Sequence, residues 1–248
     1  MSELQHPDSR SFEDVAELYE RVRPSYPEAA VDWLAAQLGV DESSTVLDLG
    51  AGTGKLTRAF VGRAARVIAV EPGPEMLAQL RRVVPEAEAL LGAAEAIPLK
   101  NHSVDAVVCG QSFHWFRRAE AVSEIRRVLR QGGGLGLIWN ARDRDDPLQA
   151  EVTELLDPFV PSGREALPTT AGRFVGEAFG ELVAGEFRFE QELDADALAG
   201  RILSISFVAA AEEMRRRELE RQLRALAAAH GGRVRFRYRT EVYVSRAA

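Results

Sequence analysis

Two carboxylates and three glycines carry the clearest chemical signal in this chain. Asp48 stands two residues before Gly50, and Gly50, Ala51, Gly52, Thr53 and Gly54 form a G-x-G-x-G turn. Glu71 closes R-V-I-A-V-E, 21 positions after Gly50. Glycines belong where a turn takes unusual φ/ψ and where a ligand must approach backbone without meeting a Cβ. An acid placed like Glu71 accepts hydrogen bonds from the 2′- and 3′-hydroxyls of a ribose. The dinucleotide fingerprint is G-x-G-x-x-G, with a pyrophosphate seated at the helix N-terminus. Its third glycine would fall here at Lys55. Asp48 would repel a pyrophosphate and suits a ligand bearing cationic groups. The pattern therefore favours a positively charged nucleoside over a dinucleotide.

The elements that must hold these residues alternate between strand and helix. Val46, Leu47 and Leu49 form a short apolar strand before the turn, and Leu56, Ala59 and Phe60 share one face of the helix after it. Strands are expected at 45–50, 66–71, 88–92, 104–110, 134–140, 185–193 and 234–246. Gly73-Pro74 opens a helix with a stripe of Met76, Leu77, Leu80, Val83 and Val84. A helix over 119–130 presents Val122, Ile125, Val128 and Leu129, and Gly132 to Gly134 are expected to end it. The last two strands alternate strictly, as edge or antiparallel strands do. Between them, 210–230 reads as a charged helix with Glu213–Arg217 and Glu220–Arg224 spaced i, i+4, a solvated face. This order predicts an α/β fold with helices on both faces of a mostly parallel sheet. Residues 1–27 and 141–184 fall outside the pattern, around a core of about 28–140 and 185–248. They are candidate lids at the edge where such sheets bind ligands.

Composition narrows the partners. The 248 residues are 46% hydrophobic, enough for one α/β domain, and the net charge is -7. An acidic surface argues against a nucleic-acid substrate. The single cysteine, Cys109, cannot pair within the chain, which fits a reducing cytoplasm. No apolar run approaches the ~18 residues that span a bilayer, and the first ten residues lack the apolar stretch of a signal peptide. The expected partner is a small molecule, with no membrane or nucleic acid, and the chain acts as a monomer or homodimer. Four scattered histidines and one cysteine give no metal-binding spacing.

Several motifs together make the resemblance specific. V-L-D-L-G-A-G-T-G-K-L-T, V-E-P-G-P-E-M-L, A-E-A-I-P-L (94–99), Q-S-F-H-W-F (111–116) and R-V-L-R-Q-G-G (127–133) resemble the bacterial class I S-adenosylmethionine (SAM) dependent methyltransferases of the type-11 group, over nearly the full length. The resemblance implies a Rossmann-like seven-stranded sheet whose last strand inserts antiparallel beside the fifth. It implies SAM as cofactor, whose methionine part carries an ammonium and whose sulfonium is cationic. The glycine turn and Asp48 would hold that methionine part, and Glu71 the ribose. Pro72 and Met76 would lie against the adenine, Ala94 and Glu95 at its edge, and Gln111 at the methionyl end.

The remaining candidates surround the methyl group. Tyr19 and Arg23 share a face of the N-terminal helix, from which Arg23 would pair with the SAM carboxylate. Methyl transfer is an in-line displacement, so positioning and desolvation dominate. His114 is the candidate base for an acceptor that arrives protonated. Phe113, Trp115, Phe116 and Trp139 would line an apolar substrate pocket and meet the sulfonium by cation–π attraction. The expected activity is methylation of an O, N or C nucleophile on a small molecule. A non-catalytic SAM-binding protein has the same cofactor motifs and stays open. A nicotinamide oxidoreductase is disfavoured by Lys55 and Asp48. RNA methylation is disfavoured because G-Q-S-F-H-W stands where an N-P-P-Y-like motif would be.

Overall fold

The structure, a computed structural model, describes residues 20, 22–161, 179 and 181–246. Helix α1 (Glu28–Leu38) precedes β1 (Thr45–Leu49), α2 (Lys55–Phe60), β2 (Arg66–Glu71), α3 (Pro74–Val83), β3 (Glu88–Leu91) and β4 (Val104–Gly110). A 3-10 turn (Phe113–Trp115), α4 (Arg118–Val128), β5 (Leu129–Arg142) and α5 (Pro147–Leu156) follow. After β6 (Leu182–Asp194) come α6 (Ala195–Leu203), α7 (Ser206–Ala209), α8 (Glu213–Ala229) and β7 (Arg233–Arg246).

The seven strands form one sheet in the order β3-β2-β1-β4-β5-β7-β6. β1 to β5 pair in parallel, and β7 runs antiparallel to both β5 and β6. The last strand thus enters beside the fifth, as expected. All five residues of β1 are buried, which a central strand covered on both faces requires.

Alternate residues of the strands feed two apolar layers. Val46, Ala106, Val108, Ile138, Val242 and Val244 pack against α1 and α2 through Val31, Leu34, Leu56 and Phe60. Leu47, Leu49, Val107, Cys109, Leu135 and Leu137 face α4 through Ala121, Ile125 and Val128. A third cluster lies beyond the end of β5. There Val234, Phe236 and Tyr238 of β7 pack with Leu148 and Val152 of α5, Leu198 and Ile202 of α6, and Leu219 and Leu223 of α8. Burying such a side chain contributes about 1.5–3 kcal/mol, so these helices are fixed parts of the fold.

One boundary departs from expectation. The helix predicted to run to 130 ends at Val128, and Gly132 to Gly134 lie inside β5 instead of capping the helix. Leu129 is extended (φ -66, ψ 137), 2% exposed, and paired with Val104. Burial of Leu129 and the ion pair between Arg130 Nη1 and Asp105 Oδ2 (2.5 Å) draw the chain straight into the sheet. The ladder then skips from Leu129 to Gly134 while β4 advances from Val104 to Ala106, leaving a bulge that holds Gly132 and Gly133. Of the segment expected as a mid-chain lid, β5 claims 141–142 and α5 claims 147–156, while 162–178 lie outside the described residues.

Candidate functional site

The carboxyl ends of β1, β2, β4 and β5 converge, and the glycine turn sits at the first of them. Gly50 N and Ala51 N both donate to Val70 O (2.8 and 3.1 Å), folding the turn across the end of β2. Gly50 has φ 68, and a Cβ there would lie 2.7 Å from Ser112 Cβ. Ser112 Oγ donates to Leu49 O (2.8 Å), which locks the loop after β4 against the turn. Gly52 differs. Its φ is 57, yet a Cβ built there meets no atom within 4 Å. The backbone at Gly52 borders open space, which is the approach a ligand needs.

Glu71 is oriented by two backbone amides. Its Oε2 accepts from Gly52 N (2.8 Å) and its Oε1 from Gly73 N (2.9 Å). A carboxylate offers about four acceptor sites, so a strapped Glu71 still suits a ribose diol. The strap couples β2 to the one turn glycine that faces open space.

Asp48 lies deeper than its sequence position indicates. It is 1% exposed, and its Oδ2 accepts from Thr57 Oγ1 of α2 (2.6 Å). Its Oδ1 is buried with no hydrogen-bond partner among the described residues. Burial raises its pKa to about 7, against the opposing hydrogen bond from Thr57. Burial, and then the neighbouring Asp48 carboxyl, also push the Cys109 thiol well up.

Beside the turn, the structure brings in a residue that sequence reasoning missed. Glu20 accepts from Thr53 Oγ1 through Oε2 (2.6 Å) and from Arg58 Nη2 through Oε1 (2.8 Å). Lys55 Nζ donates to Glu20 O (2.7 Å) and stands 3.4 Å from Oε2. Burial raises the Glu20 pKa, but the bonds from Thr53 and Arg58 and the charge of Lys55 outweigh it, so the net shift is downward. The available signal was Lys55 and Arg58, two cations one turn apart on α2 with no local acid. Tyr26 continues this cover, its hydroxyl so close to Gly110 that a Cβ there would stand 2.5 Å away. Asn140 Nδ2 donates to Ser25 O (3.2 Å), tying the same segment to β5.

Arg23 is described and Tyr19 is not. Arg23 donates from Nε to Ser204 Oγ (2.9 Å) and from Nη2 to Ser204 O (2.7 Å), so it links the N-terminal segment to the end of α6. Gln111 holds φ 59, rare for a residue with a side chain. Its Nε2 reaches Asn140 O at 3.4 Å, bridging the ends of β4 and β5. Met76 and Ala94 are each 4% exposed and offer apolar walls, while Pro72 is exposed. Glu95 Oε1 accepts from Arg117 N (2.7 Å), holding the start of α4.

The aromatic residues divide. His114 and Trp115 are half-buried, with ring centroids 4.8 Å apart. Phe113 is 3% exposed and packs in the α4-side layer, edge-on to Phe116 at 5.7 Å. Trp139 joins that layer beside Tyr243 at 6.2 Å. His114 and Trp115 thus stand at the end of β4, and Phe113 and Trp139 sit in the wall behind. Among the described residues no group of three or more potential metal ligands exists, and no helix is long and apolar enough to cross a membrane.

Comparison with known proteins gives this geometry a family. A profile described as a methyltransferase domain matches residues 47–137, from β1 through most of β5. An uncharacterized methyltransferase of Mycobacterium tuberculosis is 41% identical over 223 residues, covering 90% of this chain and 87% of the relative. An uncharacterized methyltransferase-like protein of Schizosaccharomyces pombe is 39% identical over 227 residues, covering 89% and 87%. The solved structure of a provisionally assigned type II methyltransferase from Anaeromyxobacter dehalogenans aligns with a TM-score of 0.72 at 27% identity, over 90% of this chain and 97% of that one. The chain belongs to the class I SAM-dependent methyltransferases.

Proposed function

We propose that this enzyme binds SAM across the glycine turn and transfers its methyl group to an O, N or C nucleophile of a small molecule. The observation that carries the cofactor reading is Asp48 Oδ1, a buried acceptor without a partner beneath a turn that is open at Gly52. A buried acceptor left unsatisfied costs about 1–3 kcal/mol, and the ammonium of the methionine part supplies the missing donor. Glu71, held by Gly52 and Gly73, takes the ribose hydroxyls. Met76 and Ala94 flank the adenine. A pyrophosphate, by contrast, would meet Asp48 and Glu71 with like charge.

When bound, SAM supplies an activated methyl carbon. The chain positions the reactants and excludes water. The Glu20 and Tyr26 segment closes over the turn and Gly110, and Gln111 joins β4 to β5 at the reacting edge. His114 accepts the proton of an acceptor hydroxyl or ammonium on a ring nitrogen. Trp115, tilted 40° against its ring, gives the acceptor an apolar wall.

Calorimetric titration with SAM, S-adenosylhomocysteine (SAH) and NADH tests this reading. Micromolar binding of both adenosyl ligands, lost in Glu71→Ala and absent for NADH, is the expected result. Binding of NADH, or no adenosyl binding, refutes it.

A further inference from the structure

Beyond the cofactor turn, the carboxyl end of β5 carries a second built site. Arg142 is the last residue of β5 and the cross-strand partner of Tyr238. Its Nη2 donates to Thr153 Oγ1 of α5 (3.1 Å), and its Nη1 is buried with no hydrogen-bond partner. Arg201 of α6 is 3% exposed. Its Nε donates to Tyr238 Oη (3.0 Å), its guanidinium lies 5.7 Å from the Tyr238 ring centroid, and its Nη1 is likewise buried with no partner. Both arginines therefore converge on Tyr238, each with a buried Nη1 that has no partner. No carboxylate among the described residues bonds to either. Asp143, next in the chain, stands 4.0 Å from Arg188 instead.

A buried guanidinium beside a half-buried one, with no counter-ion among the described residues, is costly. An unpaired buried charge loses its hydration and gains nothing in return, and like charges side by side repel. Burial, and then the charges of Arg201 and Arg144, bring Arg142 down to about 10, still protonated at neutral pH. Structural packing alone would place apolar side chains here, as the surrounding Leu148, Val152, Leu198 and Ile202 show. The location is also suggestive. β5 adjoins β4, whose end carries Gln111 and His114, and ligands of such sheets sit outside the carboxyl ends of the strands.

We propose that Arg142 and Arg201 anchor a carboxylate of the methyl acceptor, so that the substrate is a small organic acid. The inference rests on the methyltransferase reading for the word acceptor, and on the arginine pair alone for the carboxylate. The two unpartnered Nη1 atoms, one from each arginine, suit the two oxygens of one carboxylate, in the charge-assisted geometry that guanidiniums favour.

Calorimetric titration of the full chain, with and without saturating SAH, tests the pair. The probes are hexanoate and 3-phenylpropionate, their matching amides, and inorganic phosphate. Each acid is expected to bind at least tenfold tighter than its amide. Arg142→Gln and Arg201→Gln should each erase that preference while leaving SAH affinity within about twofold, and Arg142→Lys should retain part of it. Equal binding of acid and amide by the wild type, tighter binding of phosphate than of either acid, or no carboxylate binding at millimolar concentration overturns the proposal. That comparison decides the matter even if the glutamine variants do not fold. Failure of SAH to bind, with the acid preference intact, refutes the cofactor reading and leaves the anion site standing.

Discussion

Lowering the pH through the range where Asp48 takes up a proton should release SAM, and the size of the effect follows from the site. Burial raises the Asp48 pKa to about 7 in the free protein. An ammonium seated on Oδ1 favours the ionised form, so binding below neutrality must expel a proton. With a pKa of about 7, the ionised fraction is roughly 0.03 at pH 5.5 and roughly 0.24 at pH 6.5. SAM affinity should therefore rise about eightfold between those values and flatten above about pH 7. Calorimetry in buffers of different ionisation enthalpy should show about one proton released per SAM bound at about pH 6. Asp48→Asn should abolish the slope and weaken binding at about pH 7.5 by roughly 1.5–3 kcal/mol, the worth of a charged hydrogen bond. The same carboxyl sets a stability trend in the free protein. Its folded pKa lies above the ordinary aspartate value of 3.8, so the folded state keeps a proton that the unfolded chain has released. Stability should then fall as pH rises from about 4 to about 7, by at most about 4 kcal/mol for a shift of about three units. Thermal melts across that range should show the fall in the wild type and a shallower one in Asp48→Asn. A flat SAM affinity across the acid range, or an undiminished slope in Asp48→Asn, refutes the assignment of Asp48 to the ammonium.

Three further substitutions separate the parts of the site. Gly52→Val forces a β-branched residue to φ 57 in open space, so calorimetry should show at least a tenfold loss of SAM affinity, whereas melts should register only about 1–2 kcal/mol of backbone strain. Glu20→Gln removes the charge that faces Lys55 and Arg58, and denaturant unfolding at neutral pH should show a loss of about 1–2 kcal/mol. Because the Glu20 pKa is lowered in the fold, that difference should be fully present above about pH 4.5 and be lost as pH falls from there through the lower folded value, beneath which the wild type is protonated too. His114→Ala should lower the methylation rate about 10²- to 10⁴-fold if the acceptor arrives protonated, with SAM affinity changed less than about threefold; an unchanged rate would remove His114 as the base.

The geometry of the glycine turn was legible because it is local. Asp48 to Gly54 and Glu71 are fixed by strand, turn and strand end within one βαβ unit, and Gly52 faces open space as the ligand-approach argument requires. The mostly parallel sheet with antiparallel last strands was legible from the alternation of strand and helix and the strict period-2 patterning of those strands, whereas the insertion of the last strand beside the fifth followed from the family resemblance. The end of the fourth helix was misread because Gly132 to Gly134 carry a C-cap signal that the burial of Leu129 overrides.

Types and spacing of residues determined the glycine turn with a carboxylate on either side of it in the chain, set on a mostly parallel sheet. Tertiary structure decided the rest, because it depends on residues far apart in the chain. It placed Glu20 on Thr53 and Arg58, across 33 and 38 positions. It buried one oxygen of Asp48 without a donor. It also brought Arg142 and Arg201 to the same tyrosine, a meeting that no periodicity encodes, because only the packing of α6 against the end of β7 creates it.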